Sequence, residues 1–512
     1  MKQNMKRNET FERIVAYGKL HILDAFALFF CWGGFFRSQL ANSDTLWGNI
    51  DPGATLISRM SNFRWLGYAG DSFSYYVLHY FPYQHRVLSF VLFLLVLSAA
   101  LLLLQLTFLP VLGADRWGRG EQLLFFSATV LCFVNVLSAE LFYFTESYLI
   151  FKAAFFLAMA GCFLFSHKHY AAGTVLFVLA PMFYQMSCFY AALVLCTLAY
   201  LEERGEGSFR LIWREFRYLM AAMLGGILNY LTGPWIDQLL TQKLNYEIIP
   251  SKQIQRGSLG QIVENLLRQF RELYESSLGL MMPLWLPLLF SAAVTILVIV
   301  RMVRSGAGRQ LWVYLLYKAV SFVFMCGIEL TSAADVFTCR VIAPFYTMQA
   351  MNALIALLWL QKKQREKVLK KTAVLVTGYL LVQCFFIQII IANRMLSENL
   401  DILYANQVLD RVEKYEQETG EKVTGTGFCT DSNYSAYYEQ VNYCHSAINS
   451  RVAGEATYSL IATVAQWRGM HLDRGEMDPA VYEKYFAGKN WDYFDPEEQV
   501  VIQDGVLYWC VF

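Results

Sequence analysis

The stretch Gln361-Lys362-Lys363-Gln364-Arg365-Glu366-Lys367-Val368-Leu369-Lys370-Lys371 decides the fold. It is a basic run set between two long apolar segments, 341–360 and 372–391. A basic loop between apolar segments marks the cytoplasmic side of a multi-span membrane protein, because loops rich in Lys and Arg stay inside. Outward from this stretch the same signal returns at every second loop. Arg301, Arg304 and Arg309 form one such group, Arg204, Arg210, Arg214 and Arg217 another, and Arg116 and Arg119 a third. The start of the chain carries Lys2, Lys6, Arg7, Arg13 and Lys19. Applied throughout, the alternation exports two segments: the polar stretch 37–86 and everything after Ile391.

Composition agrees. Of 512 residues, 56% are hydrophobic and 16% charged, with mean hydropathy +0.36. That is too apolar for a soluble protein of this size. A helical span takes ~20 mostly apolar residues. Spans are expected at 20–36, 87–109, 123–137, 148–165, 170–183, 187–201, 218–231, 278–300, 311–328, 341–360 and 372–391, about eleven in all. The 170–201 region reads either as two short helices broken at Pro181 and Tyr184-Gln185 or as one long helix. Helices are the natural choice, because an open strand edge cannot sit in lipid. A cytoplasmic N-terminus and an odd number of spans put the C-terminus outside. No cleavable signal peptide is expected, since the first span lacks a small-residue cleavage site. The expected class is therefore a polytopic α-helical membrane protein. Its membrane domain is 1–391, and an extracytoplasmic α/β domain follows at 392–512.

Net charge is +1 but unevenly spread. From Ile391 onward there are 9 Lys and Arg against 19 Asp and Glu; the rest has 33 against 22. An acidic outer segment on a basic membrane body argues against nucleic-acid binding. Most of the 11 cysteines lie in spans, where Cys acts as a small apolar residue. Cys339, Cys429, Cys444 and Cys510 lie outside them, and a Cys429–Cys444 disulfide is one option, although sequence does not set pairing. His167 and His169 form a lone His-x-His that reads as a solvated loop, and no spacing suggests a zinc site. No cofactor is called for, and a metal requirement is left open.

The 37–86 loop is too patterned to be a plain connector. Its 54–81 half mixes aromatic and aliphatic residues with Arg59, Arg64 and Asp71, as surface helices do. Between spans on the same side, the polar outer loop 234–277 has a helical run near 259–274. Beyond the last span, 393–418 reads as helix, 422–429 as strand, 479–486 as a short helix, and 499–512 as a hairpin turning at Asp504-Gly505. Gly425-Thr426-Gly427 reads as a strand-ending turn rather than a nucleotide loop.

Several residues could carry chemistry. Asp44, just past the first span in Asn42-Ser43-Asp44-Thr45-Leu46-Trp47, is placed to act as a general base, with Asp51 as the alternative. The plain reading is an interfacial acid beside an aromatic-belt residue, Trp47. Arg64, Lys152, Arg340 and Arg59 are candidates for binding a phosphate, since a guanidinium fork holds two oxygens at once. Arg59 reads better as a cation snorkelling to lipid headgroups. Lys152 lies near the outer end of the fourth span, soon after Glu140 and Glu146, and pairing with Glu146 is its plain reading. Tyr184 and Gln185, past Pro181, either line a site or cap a broken helix. Glu329, Asp335 and Arg340 crowd one hairpin, where they form a surface ion pair or line a site.

Together these features resemble a family. An acid follows the first span, a surface segment reads Asn62-Phe63-Arg64-Trp65-Leu66-Gly67, a Tyr-Gln pair breaks a middle helix, and an α/β tail follows the last span. The chain resembles the bacterial serotype-conversion glucosyltransferases of the GT-C class, which decorate O-antigen and other surface glycans. In that family the early acid is often a doublet, where this chain has Ser43-Asp44. The surface segment often reads Gly-Arg-Trp or Gly-Arg-Phe, where this chain has Phe63 in place of Gly.

The resemblance implies transfer of a sugar, glucose by analogy, from a polyprenyl-phosphate carrier to a surface glycan at the outer face of the cytoplasmic membrane. It implies that Asp44 is the base, that Arg64 with Lys152 holds the departing phosphate, and that Tyr184 and Gln185 line the site. Trp47 and Glu146 fall in with the lining residues. Two rivals remain: a flippase or transporter of lipid-linked sugars, and a surface-polymer ligase or polymerase. Transporters usually show matched pairs of broken helices in internal repeats, and here the sequence offers one broken helix and no repeat.

Overall fold

The structure, a computed structural model, describes residues 2–40, 42–82, 84–114, 117–203, 209–244, 257–275, 282–283, 285–327, 339–361, 366–441 and 447–512. Helix dominates. The first helix, α1 (Lys2–Trp32), ends in a 3-10 turn at Gly33–Arg37. Three short helices, α2 (Ser43–Ile50), α3 (Pro52–Ser61) and α4 (Trp65–Ser72), fill the 37–86 loop. Next come α5 (Arg86–Leu112), α6 (Arg119–Val130), α7 (Ala139–Tyr143), α8 (Tyr148–Ser166), α9 (Tyr170–Leu179) and α10 (Ser187–Glu202). The series continues with α11 (Phe209–Leu244), α12 (Leu259–Glu275), α13 (Trp285–Arg304), α14 (Gly308–Met325), α15 (Cys339–Ile342), α16 (Pro344–Gln361) and α17 (Glu366–Thr419).

Among the described residues, seven helical segments are long and apolar enough to cross a membrane: Tyr17–Arg37, Arg86–Leu112, Thr145–Ser166, Leu211–Lys243, Trp285–Arg304, Cys339–Gln361 and Glu366–Thr419. Tyr170–Met182 and Ser187–Glu202 are apolar but shorter. The choice left open at 170–201 resolves into two helices, with the break at 183–186. Inside the bundle, α16 and most of α10 are buried on every side, as apolar composition all round a helix demands. Outward-facing positions on the outer helices include large apolar side chains: Phe26, Phe29 and Phe30 on α1 are each more than half exposed.

One expected span is interrupted. Instead of running through 123–137, α6 stops at Val130, and the chain turns through 131–138 before α7. The segment is buried throughout. Irregular backbone can lie that deep only if protein groups satisfy it. Here the Asn135 side chain accepts from Ser138 N–H at 3.0 Å, and its amide donates to the Leu131 carbonyl at 3.0 Å. Gln383 of α17 accepts from Val136 N–H at 3.1 Å, and the Trp32 indole donates to the Phe133 carbonyl at 3.1 Å. These polar side chains, spread from residue 32 to 383, make the break possible.

The 54-residue α17 spans about 80 Å at 1.5 Å per residue. It passes without interruption through the boundary expected at 391/392, so the tail is carried on the last span with no linker. The tail sheet has four strands, β1 (Gly425–Thr430), β2 (Asp473–Arg474), β3 (Val500–Gln503) and β4 (Val506–Val511), in the order β2-β1-β4-β3. β1 runs parallel to both neighbours, and β3 and β4 form an antiparallel hairpin. That hairpin turns at Asp504 and Gly505, both at positive φ (51° and 70°), as a two-residue primed turn requires.

Gly425-Thr426-Gly427 corrects one expectation: it lies within β1 rather than in a turn ending it. A Cβ on Gly427 would come within 2.8 Å of the Glu476 carbonyl and the Tyr508 ring, so close packing explains the glycine. Cys429 faces Cys510 in register across β1 and β4. Cys444, the partner expected for Cys429, lies outside the described residues.

Candidate functional site

The loop that carries Asp44 is built between the bundle and the tail. Leu40 and Leu46 are fully buried in the tail's apolar core, with Val408, Leu460 and Trp509. Three donors of the loop, Ser38 Oγ (2.9 Å), Gln39 N–H and Leu40 N–H (2.6 Å), converge on the Glu398 carboxylate of α17. One turn on, Asp401 accepts from Val452 N–H at 2.9 Å, Ala453 N–H at 3.1 Å and the Tyr438 hydroxyl at 2.8 Å. Arg394 lies a turn before Glu398, fully buried, and donates to the Ser450 carbonyl at 3.0 Å. These three charged groups clamp the loop and the tail to the same helix. Their i, i+4, i+7 spacing was a signal in the sequence that went unread.

α2 begins at Asn42, whose side chain accepts from Thr45 N–H at 2.6 Å and caps the helix. Its amide donates to the Tyr143 carbonyl at 3.0 Å and to Glu146 at 3.4 Å. Asp44 sits in the first turn and faces a cavity of about 410 Å³ lined by Asp44, Trp47, Asp51, Thr55, Ser58, Arg59, Glu146 and Arg474. The Asp44 carboxylate is reachable from the cavity yet surrounded by protein. Burial, and then the Glu146 carboxylate, push it above its ordinary range; Arg340, Arg59 and Arg64 pull it back. Glu146 is itself buried and held by Thr45 Oγ1 and by Ser147 Oγ at 2.8 Å. Asp51 caps the C-terminus of α2 on the cavity wall.

Arg59 overturns its expected role. It is 3% exposed, so it does not snorkel to headgroups. Its Nε donates to Asp71 at 2.9 Å and its Nη2 to the Glu146 carbonyl at 2.9 Å. The turn of α3 brings it inward to Asp71, itself buried, on α4. Lys152 is half-buried, and Asp71 rather than Glu146 lies within its electrostatic reach. The expected Lys152–Glu146 ion pair does not form among the described residues, and Asp71 acts on Lys152 through its charge alone. Arg340 pairs with Glu140 at 3.2 Å, donates a second bond to the same carboxylate from its backbone N–H at 2.8 Å, and stacks on Phe144 at 4.4 Å. Glu329 and Asp335 lie outside the described residues.

Arg64 and the Tyr-Gln break meet, although they are 120 residues apart. Arg64 Nε donates to Gln185 Oε1 at 3.2 Å, and its guanidinium lies 5.3 Å from the Tyr184 ring centre. Gln185 Nε2 donates to the Asn62 carbonyl, and Asn229 Nδ2 to the Phe63 carbonyl at 2.9 Å. The turn so clamped holds Phe63 at φ 55°, a left-handed conformation that favours glycine. Burial, and then the Arg59 cation, hold the Arg64 guanidinium below its usual range. The Tyr184 hydroxyl is buried with no hydrogen-bond partner among the described residues. Arg64, Lys152, Arg340, Tyr184 and Gln185 do not line the Asp44 cavity; Arg64 and Arg340 act on Asp44 through their charge.

Two residues of the tail reach the same place and escaped the sequence. Arg474, on β2, lines the cavity with its guanidinium 4.6 Å from the Trp47 ring centre. Glu455 is close enough for its charge to act on Asp44. Nothing local distinguishes either; only the fold of the tail brings them there. Asp24, buried in the first span and accepting from Gln105 at 2.9 Å, also went unread, and it does not line the cavity. Among the described residues, no group of three or more His, Cys, Asp or Glu is arranged to hold a metal ion. Compared with known proteins, the chain matches no protein-family model, no curated protein and no solved structure.

Proposed function

We propose that this protein transfers a sugar from a polyprenyl-phosphate carrier to a surface glycan. In this reading the chain crosses the cytoplasmic membrane eleven times in a GT-C-like arrangement. Its N-terminus is inside, and the 37–86 loop and the α/β tail are outside. The observation that carries the proposal is the convergence of an accessible carboxylate, Asp44, with three guanidinium groups, the buried Arg59 and the half-buried Arg64 and Arg340, whose charges all act on it. A base and a phosphate-holding cation set are the two things that glycosyl transfer from a lipid phosphate needs.

The step follows. Asp44 takes the proton of an acceptor hydroxyl, and the oxygen attacks the anomeric carbon. The bond from that carbon to the carrier phosphate breaks, and polyprenyl phosphate leaves with its charge facing Arg64. Arg59 and Arg340 are each already paired with a carboxylate, whereas Arg64 has a neutral partner in Gln185. A partly desolvated cation beside neutral groups gains most from an incoming anion. Support also comes from Phe63: the family this chain resembles often has Gly there, and the backbone at Phe63 takes the conformation glycine prefers.

One observation favours the transport reading. A second helix, α6, is broken near the site, so the single unmatched break that counted against a transporter has a companion. Incubation of purified protein with polyprenyl-phosphate-glucose and a glycan acceptor separates the two. Release of polyprenyl phosphate together with glucosylated acceptor is expected. Movement of intact donor across proteoliposomes with no release would replace the proposal by transport.

A further inference from the structure

The end of the first span and the middle of α17 approach closely along a matched pair of faces. Cys384, Gln388 and Ile391 stand at i, i+4 and i+7 on α17, one stripe of the helix. Against them lie Cys31 and Gly34. The Cys31 and Cys384 sulfurs are 3.0 Å apart. Gln388 Nε2 donates to the Cys31 carbonyl at 2.7 Å, and a Cβ on Gly34 would come within 2.7 Å of Ile391. Both cysteines are buried, at 2% and 8% exposure. Two thiols 353 positions apart in sequence are thus brought to one point, at a distance shorter than unbonded sulfurs normally keep.

We infer that Cys31 and Cys384 are a covalent cross-linking site, whose oxidised form ties the first span to the last. The chemistry is a two-electron oxidation. Two S–H bonds break and one S–S bond forms, while two protons and two electrons pass to a quinone, which leaves as the quinol. A quinone suits the depth, because Cys31 lies six residues, or roughly 9 Å of helix, from the Arg37 end of its span. The bond would act where position matters. Fourteen residues beyond Cys384, Glu398 holds the backbone of residues 39 and 40, and Asp44 follows. The inference does not rest on sugar transfer; it would stand if the protein were a transporter.

The test is peptide mapping of full-length protein purified in detergent without reductant. One sample is treated with a short-chain quinone; all are alkylated after denaturation and digested. A cross-linked peptide pair containing Cys31 and Cys384 is expected after quinone treatment, and should be lost on reduction before alkylation. Cys162, whose thiol donates to the Ala191 carbonyl, should stay alkylated in every sample. A Cys31→Ser variant should return Cys384 to the alkylated fraction. Complete alkylation of both Cys31 and Cys384 after quinone treatment, or a bridge from either to any other cysteine, would overturn the inference. Mapping of the unmodified protein decides the matter even if Cys31→Ser fails to fold. The facing Cys429 and Cys510 are read from their own peptides.

Discussion

At the scale of residues, the site is a matter of which charges are already satisfied. Asp44→Asn keeps shape and polarity but cannot take a proton, so transfer should fall ~10²-fold or more at unchanged expression. A steady-state assay checks this, and near-normal activity would shift the role to Asp51. The pH profile carries the next expectation. A base works deprotonated, and burial with Glu146 raises the carboxyl of Asp44. kcat/KM should therefore fall, as pH drops, at a pH above the usual carboxylate range. Glu146→Gln removes one of the raising influences, so the acid limb should move to lower pH. An unmoved limb would detach Glu146 from Asp44.

The arginines give a third expectation, changed by the fold. With Arg59 read as a headgroup anchor, Arg59→Lys would be mild. Buried, paired with Asp71 and bonded to the Glu146 carbonyl, it loses its fork to Lys, and the variant should be poorly folded as well as inactive. Arg64→Lys should keep the fold and lose activity. Thermal stability measured beside activity tells the two outcomes apart, and equal behaviour of the two variants would remove the special role of Arg64.

At the scale of elements, breaks in helices do more than the helices themselves. The α9–α10 break presents Gln185 to Arg64, and the α6–α7 break presents Glu140 and Glu146. The second depends on Gln383, which accepts from Val136 N–H inside the bundle. Gln383→Leu leaves that N–H buried and unsatisfied, at a cost of about 1–3 kcal/mol. Lower thermal stability and reduced activity are expected together, since Glu140 and Glu146 follow directly. A variant as stable as the parent would mean that another group takes up the N–H.

At the scale of the molecule, bundle and tail share one long helix and share the site. Leu40 and Leu46 sit in the tail core, while Asn42 and Thr45 bond to the bundle. Orientation can be checked directly. An impermeant thiol reagent on intact spheroplasts should label Cys429, which is half-buried, after reduction if it is bridged to Cys510. Labelling confined to lysed cells would put the tail inside and remove the enzymatic proposal with it.

By itself, the sequence determined the parts that depend on local periodicity and on solvent. Apolar length placed the helices, since a span is a local property of ~20 residues. Strand alternation and the Asp504-Gly505 turn placed the terminal hairpin, and the place of Asp44, just past the first apolar helix, followed from where that helix ends. What stayed hidden depends on partners far along the chain. Arg59 looked like a snorkelling cation because its partner Asp71 shows only once α3 and α4 fold together. The α6 break was invisible because Val130–Ser138 is apolar enough to span, and the side chains that permit the break, Trp32 and Gln383, lie about 100 and 250 residues away. Arg474 reaches the Asp44 cavity, and Glu455 comes close enough to act on Asp44, only because the tail folds around Leu40 and Leu46 of the 37–86 loop. Burial of a charge is decided by what surrounds it in space, and no window of sequence contains that.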